Sequence, residues 1–91
     1  MLKVRYLTKF KKDTQRLQKQ HKDMDKLKSV IDLLVQDIPL PEIYRDHPLH
    51  NSWQGFRDCH IELDWVLIYQ KSEDTLTLVL ARSGSHSELG L

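Results

Sequence analysis

A switch of hydrophobic period at one proline pair constrains this chain more than any other feature. Before Pro39 and Pro41 the apolar residues recur three and four apart, and after them they alternate along short β-like runs. Proline lacks an amide hydrogen and clashes with the preceding turn, so the helical region ends there. Ninety-one residues leave room for a single core. The helical first part must therefore lie on the sheet that the second part forms, giving one α+β two-layer domain over residues 1–91.

Leu2 to Leu7 reads as a short strand, Val4 and Tyr6 alternating with Lys3 and Arg5, and Thr8 is placed to cap the helix that follows. That helix runs from Lys9 to about Lys22. Phe10, Leu17 and His21 fall near one face, whereas Lys9, Lys12, Arg16 and Lys19 form a basic stripe on another, which Lys22 extends. Asp23 can cap a second helix, Met24 to about Gln36, whose Met24, Leu27, Val30, Ile31, Leu34 and Val35 make a broad apolar face.

The segment Ile38 to Ser52 is polar, broken by proline and long enough to be functional rather than merely connecting; it carries Asp46, His47 and His50. Three β-like runs follow, Trp53–Leu63, Trp65–Lys71 and Thr75–Arg82, with a hairpin turn at Lys71–Asp74 between the last two. In the first run Cys59, Ile61 and Leu63 share the face that meets the helices, and Asp58, His60 and Glu62 share the face that meets solvent. Strict alternation from Leu76, Leu78 and Leu80 would put Arg82 on the apolar face too; a bend or bulge near Ala81 would release it. The expected architecture is β-α-α-β-β-β, two helices packed on one face of a mainly antiparallel four-stranded sheet.

Composition narrows the classes of function. Cys59 is the only cysteine and cannot form an internal disulfide, and secreted domains of this size usually carry several, so a reducing cytoplasm is the expected compartment. The apolar runs from Trp65 and from Thr75 meet a charge within six or seven residues, far short of the roughly 20 that cross a bilayer. Lys9, Lys11 and Lys12 arrive before the apolar stretch of a signal peptide can develop. No membrane partner is expected. The net charge of +1 conceals an asymmetry: residues 1–30 hold ten Lys or Arg against three Asp, a balance of +7, and the remainder holds four against ten acids, a balance of −6. Such a basic first third suggests a polyanionic partner.

Five histidines stand out in the chain. Imidazole titrates at about pH 6.5 and so both accepts and donates a proton near neutrality. Cleavage of RNA through its 2′-hydroxyl needs that ability: a base for the hydroxyl, an acid for the leaving 5′-oxygen, and a cation for the charged transition state. His47, His60, Asp64, His86 and Arg82 could supply all three. Blander roles stand beside this reading. His21 is a helix-boundary residue, His50 is solvated, His60 is an exposed strand residue paired with Asp58 or Glu62, and His86 lies in a polar tail. Trp53, Phe56 and Trp65 are core aromatics as readily as base-stacking ones, and the lysine stripe is a solvated helix face as readily as a phosphate grip. A zinc site built from His47, His50 and a further ligand is the main rival use, but HExxH and paired-cysteine spacings are absent. No G-x-S-x-G elbow occurs, and Cys59 falls on the apolar face, where a thiol is inert. No cofactor is expected.

The segments 44–49 (YRDHPL), 55–69 (GFRDCHIELDWVLIY), 82–86 (RSGSH) and 21–28 (HKDMDKLK) resemble the YafQ branch of the RelE toxin superfamily, a likeness covering nearly the whole chain. The resemblance implies a ribosome-dependent mRNA endonuclease, the toxin half of a toxin–antitoxin pair, with the ribosome, mRNA and a cognate antitoxin as partners. Carried over position by position, it implies that His47, His60, Asp64 and His86 are the site's histidines and acid, and that Arg82 is the basic residue beside the scissile phosphate. In this scheme His86 protonates the leaving oxygen, Asp64 or His60 takes the 2′-hydroxyl proton, and His47 orients the nucleotide, without a metal. Asp58 and Glu62 are expected to favour charged His60. Lys9, Lys12, Arg16, Lys19 and Lys22 would grip ribosomal RNA, with binding that weakens as salt rises. Relatives carry an aromatic four residues beyond the tail histidine, where this chain has Gly90 followed by Leu91. The alternative from another class is a non-catalytic RNA- or ribosome-binding module, in which the lysines matter and the histidines do not.

Overall fold

A computed structural model describes residues 1–91. In chain order the elements are β1 (Lys3–Tyr6), α1 (Thr8–Lys19), α2 (Met24–Val35), β2 (His47–Pro48), β3 (Arg57–Glu62), β4 (Trp65–Ser72) and β5 (Thr77–Gly84), with single 3-10 turns at Glu42–Tyr44 and Asn51–Trp53. The sheet order is β1-β5-β4-β3-β2. It has five strands, not the expected four. The added strand is the two-residue β2, which pairs His47 with Asp58 and Pro48 with Arg57. A two-residue pairing inside a proline-broken loop carries no periodic signal. β1 runs parallel to β5, and the other three pairings are antiparallel.

Both helices stop through backbone geometry. After α1, His21 adopts φ +60 and the Lys22 N–H reaches back to Leu17 O at 3.0 Å, closing a left-handed helix stop. The helix therefore ends before Lys22, and His21 is an exposed stop residue rather than part of the helix face. Asp37, at φ +59, plays the same part after α2. Asp23 caps α2 as expected, accepting from the Asp25 N–H at 3.1 Å, whereas Thr8 is the first helical residue of α1 and its side chain caps nothing.

The main core lies between the helices and the sheet: Phe10, Leu17, Leu27, Val30 and Leu34 pack on Cys59, Trp65, Leu67, Tyr69, Leu78 and Leu80. The opposite face of the sheet is not simply open to solvent. Val66, Ile68, Ala81 and Leu89 form a second small cluster there, covered by Leu7, Leu49, Trp53 and Phe56. Trp65 is thus a core residue, and Trp53 and Phe56 meet edge to face at 5.4 Å as part of that cover. Leu63 leaves the expected apolar face because it sits in the turn after β3, and it is exposed.

The ladder between β4 and β5 slips by one residue: Tyr69 faces Leu80 while Ile68 faces Arg82. Ala81 is the extra residue of that bulge. Leu78 and Leu80 keep their places in the core, and downstream it is Ser83, not Arg82, that turns inward, bonding Trp65 Nε1 at 2.9 Å and Val66 O at 2.9 Å.

Candidate active site

Four of the five residues singled out for chemistry come together on the sheet face opposite the helices and at the ends of β3 and β5. His60 projects from β3 on the side of Val66. The turn Leu63–Asp64 that follows lifts Asp64 into solvent, and the tail after β5 folds back so that His86 meets both. The Asp64 Oδ1 accepts from the His86 backbone N–H at 3.0 Å and from its Nδ1 at 2.6 Å. These bonds, the backbone one foremost, hold the Asp64 carboxyl below its ordinary pKa. His86 Nε2 lies 3.3 Å from His60 Nε2.

That arrangement limits where the protons sit. With the His86 Nδ1–H committed to Asp64, the two facing Nε2 atoms share one hydrogen, donated by one ring to the other. His60 Nδ1 is buried with no partner. Burial lowers the pKa of His60, Asp58 pulls it back up, and the fields of His86, Arg45 and His47 lower it again; the net direction is down. Asp58 does favour charged His60, as expected, but desolvation outweighs it. Glu62 takes no part, since its carboxylate pairs with Lys26 at 2.9 Å and Lys22 at 3.9 Å.

His47 completes the group from β2. Its ring stacks near His60, centroids 6.2 Å apart, and its Nδ1 bonds Arg45 O at 2.8 Å. The loop bearing it is anchored by Asp46, which accepts from Tyr69 Oη at 2.5 Å and Arg57 Nη2 at 3.1 Å. Asp58 lies 3.1 Å from His47 Nδ1. Because that nitrogen's hydrogen is directed to Arg45 O, Asp58 Oδ1 receives the ring's field but no hydrogen bond. Burial raises the Asp58 pKa, against the lowering fields of His47, His60 and His86.

Arg82 stands apart from the four. Its Nε and Nη2 donate to Asp13 of α1 at 2.7 and 3.1 Å, and it makes no hydrogen bond or ion pair with any of the histidines. Asp13 also accepts from Arg16 Nη1 at 2.7 Å and the Ser83 N–H at 3.0 Å. Burial pushes the Asp13 carboxyl up, but these donors, Arg82 first, outweigh it and hold the pKa below the ordinary value. The basic stripe is divided in the same way. Lys9, Lys12 and Lys19 are exposed, whereas Arg16 is engaged by Asp13 and by Glu88 at 3.0 Å, and Lys22 lies 5.9 Å over the Trp65 ring.

Sequence reasoning missed Asp13 and Arg45. A lone aspartate among helix lysines, and an arginine in a loop, give no sign that one binds a residue 69 positions away or that the other acts on His60. Cys59 is buried and desolvation pushes its thiol far up, so it is no nucleophile. His50 is exposed. No group of three His, Cys, Asp or Glu side chains is arranged to hold a metal ion.

Sheet, helices and cluster together define a small RelE-like α+β domain with a histidine–carboxylate site on the sheet face away from the helices. The chain belongs to the YafQ family, bacterial toxins of type II toxin–antitoxin systems, whose profile matches residues 2–90. It is 46% identical over 87 residues to the mRNA interferase toxin YafQ of Escherichia coli BL21-DE3, covering 94% of this chain and 92% of that one. The crystal structure of the E. coli DinJ–YafQ complex superposes with a TM-score of 0.90 at 44% identity, covering 98% of both chains. A metal-bound toxin from Helicobacter pylori superposes with a TM-score of 0.91 at 42% identity, covering 98% of this chain and 99% of that one.

Proposed function

We propose that the protein is an mRNA interferase, a toxin endoribonuclease that cleaves mRNA on the ribosome by general acid–base chemistry and is restrained by a cognate antitoxin. The observation that carries the chemistry is the pair of facing imidazoles, Nε2 to Nε2 at 3.3 Å, with Asp64 on the far nitrogen of His86 at 2.6 Å. Asp64 accepts from the Nδ1–H and so fixes the orientation of the His86 ring, which turns Nε2 toward His60 and assigns His86 the part of the acid. His60, made less basic by burial, is neutral at pH 7 and serves as the base. Asp64 is occupied by His86, which favours His60 over Asp64 in that role.

In the reaction His60 Nε2 takes the 2′-hydroxyl proton, the 2′-oxygen attacks phosphorus, and His86 Nε2–H protonates the departing 5′-oxygen. The products are a 2′,3′-cyclic phosphate and a 5′-hydroxyl. Arg82 keeps Nη1 free of Asp13 and offers it to the phosphate, and His47 orients the nucleotide. Lys9, Lys12 and Lys19 supply a grip on ribosomal RNA, with Arg16 and Lys22 tied into the fold at its edge. The compartment is the cytoplasm, where translating ribosomes are; no helix is long and apolar enough to cross a membrane.

The test compares wild type, His86→Ala and Lys12→Ala/Arg16→Ala on translating ribosomes, mapping new 5′ ends. His86→Ala should lower the cleavage rate by about 10²- to 10⁴-fold. If it cuts as wild type does, the acid assignment is wrong. If no version cuts while all bind ribosomes, the protein is a non-catalytic binding module.

A further inference from the structure

His60 has a second neighbourhood. Between the turn Glu42–Tyr44, α2 and the end of β3 lies a groove of about 520 Å³ whose lining includes His60 but not His86. Its apolar walls include Ile43 and Leu63, each 81% exposed, above a floor at Ile61. Neither exposed side chain belongs to a core cluster, so the fold does not need them apolar. Together they give the groove beside His60 an apolar lining open to water. The polar rim is formed by Arg45 and by the ion pair of Lys26 with Glu62, 2.9 Å apart.

A nucleotide bound with its phosphodiester at His60 and His86 must place the adjoining base close by. Single-stranded RNA is read through splayed bases, which need apolar contact on their faces and donors and acceptors along their edges. This groove offers both: aliphatic walls, a carboxylate acceptor and ammonium and guanidinium donors. Its cations, Lys26 and Arg45, placed beside His60, suit a base of a polyanion.

We propose that this groove is a nucleobase subsite, taking the base next to the scissile bond between Ile43 and Leu63 and reading its edge with Glu62 and Lys26. The proposal rests on the nuclease reading and names the part of that site that selects sequence.

The experiment uses Ile43→Ser/Leu63→Ser and Glu62→Gln, with ribosome-bound mRNA as substrate and antitoxin affinity measured in parallel. The double variant should melt as wild type does, because both side chains are exposed. Its KM should rise about tenfold with kcat little changed, as expected when an interaction common to ground and transition state is lost. Glu62→Gln should redistribute the cut sites among codons. A wild-type protein that cuts, beside variants with unchanged kinetics and an unchanged cut map, overturns the subsite alone. Variants that lose only antitoxin affinity make the groove a protein-docking surface and overturn it as well. A wild-type protein that leaves the message intact overturns the nuclease reading itself.

Discussion

Asp13 and Asp58 are buried alike, their side chains 3% and 4% exposed, yet their acidities move in opposite directions. Asp13 accepts four hydrogen bonds, from Arg82 twice, Arg16 and the Ser83 N–H, and its pKa falls. Asp58 has an oxygen with no hydrogen bond, beside His47, and its pKa rises. Burial is common to both, so donors decide the sign. A saturated buried carboxylate ties a fold together. An unsaturated one among imidazoles stores electrostatic cost where chemistry is proposed, which is where such orphans belong.

The comparison breaks most severely at Asp13. Asp13→Ala strands Arg82, Arg16 and a strand amide, and should cost about 3–5 kcal/mol in urea denaturation at pH 7. The sign with pH follows from the depressed pKa. Asp13's contribution is complete above the ordinary carboxylate value and is lost as pH falls through its lower folded value, so the difference between wild type and Asp13→Asn should shrink on strong acidification.

Asp58→Asn should do the reverse. The raised pKa means the ionised form costs stability above the ordinary carboxylate value, so the variant should equal wild type or exceed it by up to about 1 kcal/mol at pH 7, and lose that gain below about pH 4. A loss as large as that at Asp13 would mean that Asp58 is also a fold residue. The subtlest difference is kinetic. If neutral His60 is the base, the rate rises with pH through a limb below its ordinary value of about 6.5. Asp58 is the group that raises His60, so Asp58→Asn should shift this limb further toward acid; a limb that stays put separates His60 from the rate.

The two clusters also differed in how far they could be read from the chain. Helical periodicity exposed the core faces of α1 and α2, and the parity conflict at Arg82 exposed a bend or bulge near Ala81, which the structure resolves as a bulge, because both are local patterns. Convergence of His47, His60, Asp64 and His86 followed from the family likeness rather than from spacing, since the tail must fold back across 22 residues to reach Asp64. The Asp13 bonds were invisible because they join α1 to the end of β5. The burial of Asp58 was invisible for a related reason: alternation puts it on an open face, and the cover over that face comes from Leu49 in the proline-broken segment and from Trp53 and Phe56, which precede β3 instead of extending it.

One carboxylate also welds a surface helix to the strand beside the site. Since Asp13 clamps the guanidinium of Arg82 and the amide of Ser83 at once, tilting α1 drags that arginine along.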